Sequence, residues 1–191
     1  GSLGKYLRND EKDFSKTKNK FLLSDLKRTQ TIRQELSISK KLLCGISWKS
    51  SGGMTGSNRS MPLEKLVTIF DPEKISLINL QYGDISEDIN ILKSNNNIDL
   101  IQYESVDNFN DLDGLASLID ACDFIVTVDN STIHLSSALG KKSFLLLSYV
   151  PEWRILFEGD TSPWFPSAKL YRQEKINSWD GVLEKLKTDL K

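Results

Sequence analysis

From Asp123 to Gly140 the chain reads DFIVTVDNSTIHLSSALG, a strand-length apolar run joined to a helical pattern with no spare residue between them. Phe124 to Val128 are all apolar or β-branched, a run short enough for a buried strand. Asp129, Asn130, Ser131 and Thr132 follow, a cluster of helix-capping side chains. Ile133, Leu135, Ala138 and Leu139 then recur at helical spacing. The helix must therefore open at the carboxyl end of the strand, with its unpaired N–H groups and the positive end of its dipole pointing outward there. Such a place favours a phosphate or another anion. His134, the one histidine of the chain, falls in the first turn of that helix.

The rest of the chain repeats this alternation. Strands are expected at Leu42 to Trp48, Ile75 to Leu80, Asp99 to Gln102, Phe124 to Val128 and Ser143 to Leu147, with a possible sixth at Lys169 to Tyr171. Helices are expected at Pro62 to Phe70, near Ile85 to Lys93, at Leu112 to Ala121, after Val128, and at Trp179 to Leu190 with Asn177 or Ser178 as its cap. A turn is expected at Asn95-Asn96-Asn97. Strands that alternate with helices mean repeated βαβ units, so the fold class is α/β, a parallel sheet of five or six strands with helices on both faces. The first twenty residues are polar and lysine-rich and read as a tether, and Lys20 to Leu36 as an amphipathic helix. The division is thus 1–40, tether and N-terminal helix, and 41–191, the α/β lobe.

Bulk properties exclude several classes. For 191 residues one compact domain is expected, and 25 basic against 26 acidic residues give no electrostatic case for nucleic acid or an anionic membrane. No apolar run is long enough to span a membrane. Gly1-Ser2 reads as a scar of cloning on a piece of a longer protein. Cys44 and Cys122 sit at the edges of predicted strands, where a free thiol packs as a small apolar residue; with one histidine they make no zinc site. That composition fits a reducing, cytoplasmic setting, in which the sequons at Asn58 and Asn130 are incidental.

In open parallel sheets ligands sit outside the carboxyl ends of the strands where strand order reverses, which selects a few loops. The segment from Lys49 to Ser60, KSSGGMTGSNRS, is rich in glycine and hydroxyls and carries Lys49 and Arg59. It is either flexible surface or a loop whose amides and cations meet a phosphate, and its spacing fits neither the dinucleotide fingerprint nor the P-loop. Gln81-Tyr82-Gly83 is a plain turn or offers an amide and a ring. Tyr149, Trp153 and Arg154 are rim packing or the walls of a flat polar ligand such as a nucleoside. Asp129 and Ser131 could serve only as caps, and His134 only as a packed side chain. Asp111-Leu112-Asp113 imitates a metal-binding aspartate pair but precedes a helix beyond the third strand; Ser37-Ile38-Ser39-Lys40 imitates a serine-lysine pair and has no companions.

Several segments together resemble one family. They are Trp48-Lys49, Asn58-Arg59-Ser60-Met61-Pro62-Leu63, Leu80-Gln81, Val128 to Leu135 with Ala138-Leu139-Gly140, Tyr149 to Arg154, Ser162 to Pro166, and Leu170 to Gln173. In this order they resemble the carboxyl-terminal lobe of the two-lobed (GT-B) glycosyltransferases that end bacterial tetratricopeptide-repeat proteins. Those are similar to lipopolysaccharide heptosyltransferases and O-linked N-acetylglucosamine transferases. The resemblance implies a three-layer Rossmann-like lobe that holds a nucleotide diphosphate sugar, the donor substrate, with no cofactor and no metal. It implies that Asp129, Asn130, Ser131, Thr132 and His134 surround the pyrophosphate, that Arg59 and Lys49 neutralise it, and that Gln81, Tyr149, Trp153 and Arg154 border the nucleoside. It implies no catalytic residue in this stretch, because the base that activates the acceptor comes from the other lobe. The implied partners are that N-terminal lobe and the repeats, although no repeat of about 34 residues is visible. The family usually has threonine at the place of Asn130 and alanine-glycine at Ser136-Ser137. These departures leave a degenerate, non-catalytic interaction module as the alternative, and a nucleotide-sugar epimerase as a weaker one.

Overall fold

The computed structural model of the protein describes residues 3–15, 18–95, 98–155 and 158–191. The strands are β1 (Leu42–Ser47), β2 (Ile75–Asn79), β3 (Leu100–Ile101), β4 (Phe124–Val128), β5 (Ser143–Leu147) and β6 (Ala168–Arg172). The helices are α1 (Leu3–Leu7), α2 (Leu26–Leu36), α3 (Gly53–Arg59), α4 (Leu63–Leu66), α5 (Ser86–Asn95), α6 (Leu112–Ala121), α7 (Ser131–Ala138) and α8 (Asp180–Asp189). All strand pairings are parallel, in the order β3-β2-β1-β4-β5-β6. The chain runs outward from β1 to β3, returns to the centre at β4, and runs outward the other way. β1 and β4 are therefore neighbours at the reversal, where crevices form in such sheets.

Strand periodicity explains the layers. In β4, Phe124, Val126 and Val128 face the core shared with Leu63, Leu66, Leu183 and Leu186, whereas Ile125 faces Ile32, Leu115, Leu118 and Ile119 on the other side. Gly45 in β1 permits the close packing on that second side, since a Cβ there would stand 2.4 Å from a Leu80 methyl and 2.8 Å from an Ile125 methyl. α7 ends in a left-handed turn at Gly140 (φ +70°), with Lys141 N–H donating back to Ser136 O. The helix is buried on nearly every side; Ser131 and His134 are its exposed members.

Several expectations need adjustment. Residues 3–15, read as tether, contain α1 and a 3-10 turn over Glu11–Phe14 held by an Asp10–Asp13 capping box; Phe14 packs edge-on to Trp164 at 5.0 Å. The helix expected from Lys20 starts at Leu26, because Asp25 caps it through Arg28 N–H. Before it the chain is extended, and the Phe21 and Leu22 amides donate to Ala138 O. α2 lies on α6: Ile32 is buried there, Arg33 pairs with Asp123 at 2.8 Å, and Arg28 with Asp111 at 2.6 Å. The segment from Lys49 to Ser60 is no open loop but holds α3, closed by Met61 N–H on Trp48 O and Ser50 N–H on Ser60 Oγ. α8 has Trp179, not Asn177 or Ser178, at its cap, with no side-chain capping bond; the buried indole is held by the core instead. Gly1, Ser2, Asn96 and Asn97 lie outside the described residues. Asp111 caps α6 through Gly114 N–H, a structural role that absorbs the imitation of a metal pair.

Candidate functional site

The turn between β4 and α7 is built from the inside by Asn130. Its Oδ1 accepts from Thr132 N–H (2.9 Å) and Thr127 Oγ1 (3.1 Å), and its Nδ2 donates to Ser47 Oγ (2.7 Å) and Lys49 O (2.9 Å). Both amide donors and the oxygen are thus taken up within the protein. The side chain caps α7 and also ties β4 to the end of β1. Gln81 does the same from β2: its Oε1 accepts from Ser47 Oγ and from the amides of Trp48 and Lys49, at 2.8–3.0 Å. Neither residue presents a free polar atom to the crevice. Both instead fix the switch point where β2, β1 and β4 end side by side.

What does face the crevice is the first turn of α7. Ser131 is exposed, and helix geometry leaves its N–H and that of Ile133 without intrahelical partners. Thr132 is buried, and its Oγ1 has no hydrogen-bond partner. Ser136 and Ser137 are buried, with Ser136 Oγ accepting from Ser143 Oγ at 3.0 Å, so they leave the crevice clear. Arg59, at the last turn of α3, stands across from the turn with Nη1 3.5 Å from Asp129 Oδ2. Lys49 is turned away to Asp88 on α5.

Charges crowd this corner. Burial raises the Asp129 pKa above the usual carboxylate value and Glu152 adds to it, while Arg59, His134 and Arg154 oppose. Desolvation and Arg154 lower His134, against Asp129 and Glu152. The imidazole packs edge-on to Phe165 at 5.1 Å and keeps an open side to solvent. Arg154 is paired with Glu152 and lies 4.6 Å over the Trp153 ring, which in turn meets Trp164. Glu152 is the member of this cluster that the sequence reading did not single out.

Two cavities lie at this corner, one against the first turn of α7 and one against Arg59. One, about 400 Å³, is lined by Leu22, Tyr82, Asn108, Phe109, Leu112, Leu115, Ser131, His134 and Leu135. Tyr82 and Phe109 make its aromatic wall, with ring centroids 6.2 Å apart. The other, about 480 Å³, lies between Arg59 and the β5 and β6 loops and includes Tyr149, Pro151, Gln173 and Asn177. The first cavity was missed from sequence apart from Tyr82, Ser131 and His134. The available signal was Phe109, an aromatic inside the otherwise polar stretch from Asp107 to Asp111. Tyr149 lines the second cavity, and Trp153 and Arg154 belong to the aromatic cluster beyond it. Among the described residues no group of three or more His, Cys, Asp or Glu side chains could hold a metal, and no helix is long and apolar enough to cross a membrane. Cys44 and Cys122 are free and buried, with the Cys122 thiol pushed up to about 12 by burial.

No protein-family model matches this sequence. Over 148 residues, 77% of its length, the chain is 28% identical to Protein FlbA of Caulobacter vibrioides, and it covers 24% of that protein. Its fold is similar to that of ADP-heptose LPS heptosyltransferase II from E. coli, with a TM-score of 0.59 and 19% identity over 88% of this chain and 53% of that one. It is also similar to the glycosyl transferase family 9 protein from Veillonella parvula, with a TM-score of 0.60 and 13% identity over 86% of this chain and 46% of that one. The fold is thus the α/β lobe found in GT-B glycosyltransferases. The chain spans about a quarter of its curated relative and about half of each solved structure.

Proposed function

We propose that this lobe binds the diphosphate of a nucleotide-activated sugar and forms the donor half of a glycosyltransferase that works without a metal. The observation that carries the reading is the α7 turn. Exposed Ser131 and free first-turn amides open at the β1/β4 reversal, with the Arg59 guanidinium opposite. Cleaving a sugar–phosphate bond leaves negative charge on the pyrophosphate. Fixed N–H dipoles and one guanidinium aimed at that charge stabilise it as it grows, without reorganisation. The cavity walled by Tyr82 and Phe109 abuts Ser131 and His134, and its aromatic wall and largely apolar lining suit a nucleoside base.

Transfer itself needs a second body. Of the eight exposed large apolar side chains after residue 40 among the described residues, six (Phe109, Leu112, Tyr149, Val150, Trp153 and Ile176) lie in or beside loops at the carboxyl ends of strands. Such a rim favours a face covered by another lobe that supplies the acceptor and the base. The same rim supports the second reading, an interaction module that binds no nucleotide. Titration with adenosine, uridine and guanosine diphosphates, followed by calorimetry and amide NMR, separates the two. One of them should shift the Ser131 and Arg59 resonances, and Arg59→Ala should weaken it by about 10- to 100-fold, the worth of a charge-assisted contact. If all three leave Ser131 and Arg59 unmoved, the donor reading fails and the module stands.

A further inference from the structure

Asp129 is 4% exposed, yet its charge is poorly served. Arg59 Nη1 stands 3.5 Å from Oδ2, and Oδ2 accepts no hydrogen bond; Arg59 Nε is buried and donates to nothing. Buried carboxylates normally gather hydrogen bonds to offset lost hydration. The other charged groups that face Asp129 are Glu152 and Arg154 from the loop after β5, which pair with each other, and His134 from α7. Arg59 is thus the main cation for this carboxylate, and it is also the cation that the donor reading assigns to a diphosphate.

One guanidinium cannot fully serve two anions. A diphosphate at the α7 turn either draws Arg59 from Asp129 or shares it, and in both cases it adds negative charge beside a desolvated carboxylate. Like charge and burial both favour the protonated acid. We propose that a diphosphate bound at the α7 turn is taken up together with a proton that comes to rest on the Asp129 carboxyl. This rests on the donor reading and adds a coupling to it. Burial already raises the carboxyl from its usual value in the free protein, and the bound anion raises it further. In the window between those two values the complex holds more protons than the free protein. Affinity therefore rises as pH falls, by up to about tenfold per pH unit. Asp129→Asn, neutral at every pH, should bind at least as tightly as the native protein at neutral pH and lose the dependence.

The test is calorimetric titration at a series of pH values between about 5 and 8 with ADP-, UDP- and GDP-glucose, whose diphosphate diesters do not titrate there, in two buffers of different ionisation heat at each pH. The native protein should take up a measurable part of one proton on binding. Asp129→Asn should lose most of that uptake. Binding without uptake, or uptake in Asp129→Asn equal to that of the native protein, overturns the coupling and leaves the donor site standing. No binding heat from any of the three sugars overturns the donor site and the coupling together. Should Asp129→Asn fail to fold, the side-chain carboxyl ¹³C resonance of native Asp129 gives the same answer. It moves to the protonated position on saturation if the coupling holds, and a stationary resonance overturns it.

Discussion

Asn130 touches β1, β4 and α7 at once, and nothing on the solvent side competes for its polar atoms. Its replacement by alanine strips the cap from α7 and leaves the hydroxyls of Ser47 and Thr127 with fewer partners in the interior. We expect Asn130→Ala to lose about 2–4 kcal/mol of stability, a measurement for urea unfolding at fixed pH. A threonine there keeps one acceptor but has no amide to reach Ser47 and Lys49, so Asn130→Thr should fall between the two. The capping part of this role was legible in the sequence, because a cap acts within two or three residues. The cross-strand part was not. Ser47 and Lys49 lie some eighty positions away, and only the pairing of β1 with β4 brings them near. The same holds for Gln81, an expected ligand contact whose oxygen is already engaged by β1.

α2 is held by one buried side chain with ion pairs at its rim. Ile32 is its one fully buried side chain, and Ile32→Ala should cost about 2–4 kcal/mol by chemical denaturation, since α6 and the sheet cannot close over the gap. Around it stand carboxylates that attach the N-terminal segment to the lobe. Asp111 titrates low because Arg28 and then the Gly114 amide hydrogen-bond to it. Burial pushes Asp120 up, but Ser24, Lys141 and Lys20 outweigh it and the carboxyl also ends low. Both are depressed acids. Their contribution is therefore present above the ordinary aspartate value of about 4 and is lost as pH falls through the lower folded values. Hydrogen exchange should show the amides of Phe21, Leu22 and α2 losing protection below about pH 4 before those of β1 and β4 do. Uniform loss across all of them would show that these carboxylates do not anchor the segment. From sequence, the amphipathic stretch was visible, but the surface it covers was not, because its partners Asp111, Asp120 and Asp123 are dispersed through α6 and the turn after it.

At the scale of the molecule, the crevice and the sheet form one structure, so occupancy should be read out as stability. A nucleoside diphosphate present at ten times its dissociation constant should add about 1.4 kcal/mol and raise the melting temperature by about 2–4 °C. Arg59→Ala should cut that rise to under about a third at the same ligand concentration. The fold class, the buried strands β4 and β5, and the helix start after Asp129 followed from the sequence alone, since each depends on apolar period and capping within a few residues. What only the tertiary structure decided is the company kept across the sheet. The order β3-β2-β1-β4-β5-β6 sets Arg59 against Asp129, seventy positions on, and sets Phe109 beside Tyr82 as a cavity wall. It also turns Lys49 toward Asp88. Local patterns specify what each segment is. Contacts between distant segments arise only when burial of the two sheet faces selects one packing, and the charges of the site are placed by that selection.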